Sequence, residues 1–147
     1  MNTHPLAACS IALLLTSAAV VASENGGSKT ITVTIEGIKS NDGTIGCALF
    51  DRPEGYPSGD VAQAQQQVAP NENSVTCTFS GLAPGRYAVS VSHDVNGNGK
   101  MDTRAFGIPK EPWGVSNNVR PRMRAPRFEE AAFELGEEDL EINIRLR

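Results

Sequence analysis

Alternation of apolar and polar residues with a period of two is the feature of this sequence that most constrains its fold. The segment TITVTIEGI, residues 30–38, alternates isoleucine and valine with threonine and glutamate. RYAVSVSH (residues 86–93) and LEINIRLR (residues 140–147) alternate in the same way. Because successive side chains of a β-strand point to opposite faces, each segment predicts a strand with one buried face and one wet face.

Further segments extend this pattern to about seven strands. Residues 44–50, 74–79 and 132–135 are short runs of strand-forming residues. VAQAQQQV, residues 61–68, fits either a seventh strand or a helical turn. No long amphipathic helix interrupts them. The sequence therefore predicts an all-β fold, a single antiparallel β-sandwich of the immunoglobulin-like kind with one long proline-rich loop.

Turn residues separate the predicted strands. SNDG at residues 40–43 has the composition of a hairpin turn. LAPG at residues 82–85 supplies a proline with a fixed φ followed by a conformationally free glycine, which predicts a tight turn.

The start of the chain has the pattern of a secretory signal. Residues 6–21 are almost entirely apolar, too short for a stable membrane span, and followed by small residues suited to cleavage. The alternative is a buried apolar helix. We expect a signal peptide over residues 1–22, a flexible linker over 23–29 and one domain over 30–147. The mature protein is then periplasmic or secreted and has no membrane span.

Charge and cysteine content support this compartment. Thirteen lysine and arginine residues against 17 aspartate and glutamate residues give a net charge of −4, which argues against nucleic-acid binding. Cleavage of the signal removes Cys9 and leaves Cys47 and Cys77, both on the apolar faces of predicted strands. Export favours a disulfide between them. The alternative is two unpaired buried thiols.

Residues 103–127 form a long segment without a strand pattern, with four prolines and the only tryptophan. Loops of this length in small domains are often functional. Trp113 is either an exposed ligand platform or an anchor for its own loop. The basic residues of the segment predict either a surface for anionic polymers or lipid headgroups, or charge complementation with the acidic C-terminal region.

The stretch HDVNGNGKMD, residues 93–102, contains an acidic loop that we define as residues 94–102. Its oxygen-bearing side chains have the spacing of a calcium loop, although Ala105 stands where the pattern has its last carboxylate. Glu111 is the candidate replacement if the next segment folds back. The predicted ligands of calcium or a similar cation are Asp94, Asn96, Asn98, Lys100 through its carbonyl, Asp102 and Glu111. The alternative is a metal-free turn capped by its own side chains.

His93 opens a second alternative. Its parity in the strand points it inward, and with Asp94 and Glu111 it could form an acid–base cluster of a hydrolase. A single histidine without a nucleophilic cysteine or serine elbow is weak support for an enzyme. The other interpretation is a histidine that hydrogen-bonds and holds the loop in place.

Three blocks in a fixed order carry a family resemblance: LAPGRYAVSVSHDVNGNGKMD, FGIPKEPWGVSNN and PRFEEAAFEL. From about Thr30 onward the chain resembles the exported bacterial family called domain of unknown function 2141. The resemblance implies the compartment and the fold and supplies no reaction. More loosely, the LAPGRYAVSV segment is similar to that of prealbumin-like and carboxypeptidase-regulatory-like β-sandwiches, which implies a prealbumin-like sandwich. Val115 stands where an aromatic is common in the family. The motif residues of this chain are His93, Asp94, Asn96, Asn98, Lys100, Asp102, Gly107, Pro109, Glu111, Gly114, Ser116 and Asn117.

The most economical interpretation is a non-enzymatic binding or accessory module of the cell envelope, with no catalytic residues and an envelope component as its partner. Its functional surface would be the acidic loop with the segment of residues 106–118 folded beside it, and the ligand-binding residues would be His93, Trp113 and Asn117. Calcium is the cofactor if the acidic loop is a cation site, and no cofactor is expected if the loop is a self-capped turn. The hydrolase and a purely structural subunit of an envelope complex remain the alternatives.

Overall fold

The computed structural model describes residues 28–147; the predicted signal peptide and most of the predicted linker lie outside the described residues. Within that range no helix is both long enough and apolar enough to cross a bilayer. Short 3₁₀ turns lie at Gly59–Val61, Ala105–Gly107 and Ser116–Asn118. The other elements are β1 (Lys29–Glu36), β2 (Thr44–Phe50), β3 (Ala64–Val68), β4 (Val75–Leu82), β5 (Gly85–Asp94), β6 (Trp113–Val115), α1 (Phe128–Ala131), β7 (Phe133–Leu135) and β8 (Leu140–Arg145).

The strands form two sheets, which confirms the predicted β-sandwich. One sheet has the order β4-β1-β8, and the other has the order β3-β2-β5-β6, with β7 paired to the opposite end of β5 from β6. All the predicted strands are present, and the ambiguous residues 61–68 contain β3. The pairing of β1 with β8 is parallel, whereas the other strand pairings between residues 28 and 147 are antiparallel.

The core lies between the two sheets and contains the residues that the alternation predicts. Ile31, Val33 and Ile35 of β1 are completely buried. The inward residues of β2 and β5 face them from the other sheet, and those of the neighbouring β4 belong to the same cluster. The predicted disulfide is present: Cys47 of β2 and Cys77 of β4 are bonded, with a sequence separation of 30 residues. Because β2 and β4 belong to different sheets, this bond joins the two layers covalently.

The prediction of a β-hairpin at residues 40–43 is wrong. β1 and β2 flank this turn but belong to different sheets, so the turn crosses from one layer to the other. The LAPG turn does the same between β4 and β5. Turn residues set the local backbone direction, whereas the sheet that a strand joins depends on where its apolar face finds partners.

The outer face of the five-stranded sheet is covered in part, which corrects the expectation of a wet outer face, although Gln65 and Gln67 of β3 remain exposed. Ala48, Phe50 and Ala88 on its outer side are buried in a second cluster with residues of β6 and α1. Residues 103–127, which lack a strand pattern in the sequence, contain β6 and the Ser116–Asn118 turn, and α1 follows them directly. Residues 113–131 form the segment that covers this face. The alternation did not reveal this cover, because small alanines fit both a wet face and a closely packed one.

Candidate functional site

The acidic loop begins at the last residue of β5, so the sheet fixes its position. Asp94 turns its carboxylate into the loop: Oδ1 accepts the backbone N–H of Asn98 at 3.1 Å, and Oδ2 accepts that of Gly99 at 2.6 Å. Gly97 and Gly99 both have positive φ, the left-handed region that this curl requires. The carboxylate and the glycines together wind the chain into a compact turn.

The other side chains of the acidic loop also face one another. The side-chain amides of Asn96 and Asn98 donate to the two carboxylate oxygens of Asp102 at 2.8 and 3.1 Å. Their own oxygens accept backbone N–H groups, Asn96 from Asn98 at 3.2 Å and Asn98 from Lys100 at 2.9 Å. The loop thus brings together the four side chains that the sequence analysis selected within residues 94–102.

Glu111 is brought to the loop by a β-hairpin that follows it. Backbone hydrogen bonds from Lys110 N to Asp102 O, and from Arg104 N to Ile108 O, fold the chain back. The buried Glu111 carboxylate then accepts the N–H of Val95 at 3.1 Å and that of Asp102 at 3.0 Å. These two donors lie near the start and at the end of the acidic loop, so Glu111 holds its ends together.

The chemistry of this donor set suits a hard cation only in part. Carboxylate and amide oxygens are the ligands that calcium prefers. In the described part of the chain, however, no three histidine, cysteine, aspartate or glutamate side chains form a group suited to a metal ion. The hydrogen bonds present are those of a self-capped turn. Each oxygen retains a second lone pair, so the cation set stays a prediction.

His93 lies inside the sandwich and is completely buried. Its Nε2 is 2.8 Å from the carbonyl oxygen of Asp42 and must carry the proton, because a carbonyl oxygen only accepts. Its backbone N–H donates to Pro112 O at 2.9 Å. Nδ1 is buried without a hydrogen-bond partner. His93 therefore fastens the 40–43 turn to β5 at the base of the acidic loop.

The family of this chain follows from a match to a family model. Residues 33–143 match the family model described as "uncharacterized protein conserved in bacteria (DUF2141)". The chain belongs to this family. The matched region includes the whole acidic loop and the hairpin that carries Glu111. No curated protein and no solved structure matches the chain.

The contacts of the Trp113 and Asn117 side chains lie outside the acidic loop. The guanidinium of Arg120 lies 4.4 Å from the centre of the half-buried Trp113 ring, and burial, then the charge of Arg147, lower the pKa of Arg120. The side-chain amide of Asn117 donates to the carbonyls of Glu130 and Ala132. Neither side chain hydrogen-bonds to the acidic loop, and their role in ligand binding stays a prediction.

Two structural roles were not visible in the sequence. The carbonyl of Asp42 holds His93, and backbone groups carry no sequence signal. The buried Ser116 hydroxyl accepts the N–H of Val89 at 2.9 Å and donates to the carbonyl of Ala131 at 2.6 Å. Ser116 matched a family motif, yet only the fold shows that it joins β5 to α1.

Proposed function

We propose that the chain is an exported, non-enzymatic binding or accessory module of the cell envelope, periplasmic or secreted, with a weak calcium site in the acidic loop. The signal-like start of the sequence supports export. The Cys47–Cys77 disulfide supports an oxidising compartment, since disulfides persist there. The envelope component with which it associates would contact the surface formed by the acidic loop and its neighbouring segment.

One observation carries the cation proposal: Glu111 closes a loop in which four oxygen-bearing side chains already converge. Asp102 is satisfied there by amide N–H groups of Asn96 and Asn98. The Asn96 and Asn98 oxygens accept backbone N–H groups and keep a second lone pair that could face a cation. A calcium ion at Asp102 would replace the two partial positive charges of the amide N–H groups with a double positive charge. Asp94 and the Lys100 carbonyl would complete the set, and the bound ion would hold the loop closed.

Calcium titration tests this proposal. Extracellular calcium sites typically have Kd values of about 10⁻⁴–10⁻³ M. At ~10 mM calcium such a site would raise the free energy of unfolding by roughly 1.4–2.7 kcal/mol. We expect a corresponding rise in Tm that EDTA reverses and that Asp102→Asn abolishes. Glu72→Gln, an exposed carboxylate outside the loop, serves as the control and should retain the rise.

The absence of a response to calcium would contradict the proposed cation site. If neither the Tm nor the calorimetric heat responds to ~10 mM calcium, a concentration well above such Kd values, the acidic loop is a self-capped turn and the cation proposal fails. A metal analysis of protein recovered from the periplasm would test localisation and the cation together.

The hydrolase alternative has less support. His93 is buried, and both Asp94 and Glu111 use their carboxylate oxygens to hold backbone N–H groups. Two surface grooves at the β6 and β8 side of the sheet are lined by residues that include Asn118 and Arg145, and neither groove includes His93 or Glu111. These contacts favour structural roles for the three residues.

A further inference from the structure

The tip of the hairpin between the acidic loop and Glu111 exposes a phenylalanine completely. The Phe106 side chain has a relative exposure of 101%, and its φ of 64° lies in the left-handed region that disfavours bulky residues. An aromatic side chain held outward by a costly backbone conformation gains nothing from packing within the described chain. Such outliers point to a function more often than ordinary exposed residues do.

Phe106 is not isolated on the surface. Ile108, two residues along the same hairpin, is 57% exposed, and Met101 at the hairpin base is 37% exposed. The bridge between Thr103 and Pro109 closes the hairpin behind its tip. The apolar side chains therefore protrude on one small, ordered element. Single exposed apolar residues are common, whereas a cluster at a protruding tip indicates an interaction surface.

The same hairpin region carries cations without acidic partners. Lys100, Arg104 and Lys110 form no salt bridge within residues 28–147, whereas other arginines of the domain, such as Arg124, pair with carboxylates. Between positions 95 and 110 the sequence contains one acidic residue, Asp102. Both of its carboxylate oxygens accept hydrogen bonds from asparagine amides. Three cations against one carboxylate thus give residues 95–110 an excess of positive charge, while the flanking Asp94 and Glu111 turn their carboxylates onto backbone N–H groups of the acidic loop. The tip combines protruding apolar groups with this excess of positive charge.

The backbone of the tip is also suited to a medium poorer in water. Arg104 N donates to Ile108 O at 2.6 Å, and Gly107 N donates to Arg104 O at 3.2 Å. Internal hydrogen bonds reduce the cost of removing these groups from water. Side chains as exposed as Phe106 and Ile108 fit a deformable surface, and the local excess of positive charge favours an anionic one.

We propose that this hairpin tip docks on an anionic lipid surface, with the Phe106 and Ile108 side chains in the interfacial region. Lys100, Arg104 and Lys110 then lie at the level of the headgroup phosphates. Aromatic and aliphatic residues flanked by basic residues are the combination that anchors proteins at such interfaces. This inference goes beyond the proposed function and does not require a bound cation.

Sedimentation with sucrose-loaded vesicles tests the docking, using the exported chain after cleavage of the predicted signal peptide, in EDTA so that the calcium proposal plays no part. Phosphatidylcholine vesicles with and without phosphatidylglycerol are compared. We expect binding to the anionic vesicles and, for the double variant Phe106→Ser/Ile108→Ser, a partition coefficient lower by roughly 30-fold. Met123→Ser is the matched control, since Met123 is 95% exposed on a different segment, and it should bind like the unchanged chain.

The charge arm uses Lys100→Gln/Arg104→Gln/Lys110→Gln, which should weaken binding to anionic vesicles and remove the preference over neutral ones. An unaltered Tm would show that both multiple variants fold, as expected for side chains in solvent. Equal partition of the unchanged chain and the Phe106→Ser/Ile108→Ser variant would overturn the proposal. So would self-association that depends on Phe106 in analytical ultracentrifugation, which would assign the tip to a second copy of the chain.

Discussion

At the scale of single residues, buried or paired polar groups hold the segment that covers the outer face of the five-stranded sheet. Ser116 joins β5 to α1 through its hydroxyl. Glu130 accepts two hydrogen bonds from the Arg124 guanidinium, at 2.7 and 2.6 Å, and one from Arg127 N at 2.8 Å. These contacts connect the start of α1 to the proline-rich chain before it.

Glu130 supports a prediction on pH dependence. The Arg124 hydrogen bonds, and then the Arg127 N–H, lower the pKa of Glu130 from an ordinary 4.5 to about 2. Because the folded-state pKa is depressed, the stabilisation is complete above about pH 4.5 and is lost as the pH falls toward 2. In Arg124→Gln, a carboxyl NMR titration should find the Glu130 pKa closer to its ordinary value.

The stability of the two proteins provides a second measurement. The advantage of the unchanged chain over Arg124→Gln in urea unfolding should shrink across the same acid range. Arg122→Gln is the control, because Arg122 forms no salt bridge in the described part of the chain. An unchanged Glu130 pKa in Arg124→Gln would contradict this assignment of the cause.

At the scale of elements, the acidic loop depends on its contact with the 40–43 turn. His93 binds the Asp42 carbonyl, and Gly43, with a φ of 74°, lies directly against the backbone of Asp94. A β-carbon at Gly43 would overlap the Asp94 carbonyl oxygen. The turn between the sheets is therefore also the support of the candidate site.

Gly43→Ala should consequently destabilise the domain strongly. Gly81→Ala is the matched control: Gly81 has a similar φ of 81°, but the nearest atom to a β-carbon there is Ser28 Oγ at 4.0 Å. The left-handed conformation alone costs roughly 1–2 kcal/mol. The overlap at Gly43 should add about 1–3 kcal/mol in chemical denaturation. Equal losses in the two variants would show that the close approach has no energetic effect.

At the scale of the whole molecule, two sheets are joined by a core and one covalent bond. The chain crosses between the layers at both the SNDG and LAPG turns, so contacts distant in sequence hold the sandwich together. The Cys47–Cys77 bond connects these layers across a separation of 30 residues. It limits the unfolded chain more than the folded one.

Removal of the disulfide should lower the free energy of unfolding by about 3–4 kcal/mol, the chain-entropy value for a loop of this length. The double variant Cys47→Ala/Cys77→Ala and the unchanged chain in reductant should show similar losses in urea unfolding. A reductant that leaves the stability of the unchanged chain intact, under conditions where both thiols are shown to be free, would refute this expectation.

The alternation of the strands predicted some of the buried residues and missed others. The alternation of Ile31, Val33 and Ile35 predicted a buried face, and the shared parity of Cys47 and Cys77 predicted their disulfide. These predictions succeeded because side-chain direction in a strand follows local geometry. The burial of Ala48 and Ala88 on the outer face was missed, because it depends on a segment distant in sequence.

The sequence by itself determined the strands other than β3, which it left ambiguous, and β6, which it missed. It also determined the inward faces, the disulfide and the membership of the acidic residues in one turn, since each of these follows from spacing along the chain. Only the tertiary structure decided that the SNDG turn changes sheets, that β8 runs parallel to β1, that Glu111 closes the acidic loop, and that Phe106 stands in solvent. Each of these depends on which distant segments meet, and that is set by packing and hydrogen bonding across the whole domain rather than by local pattern.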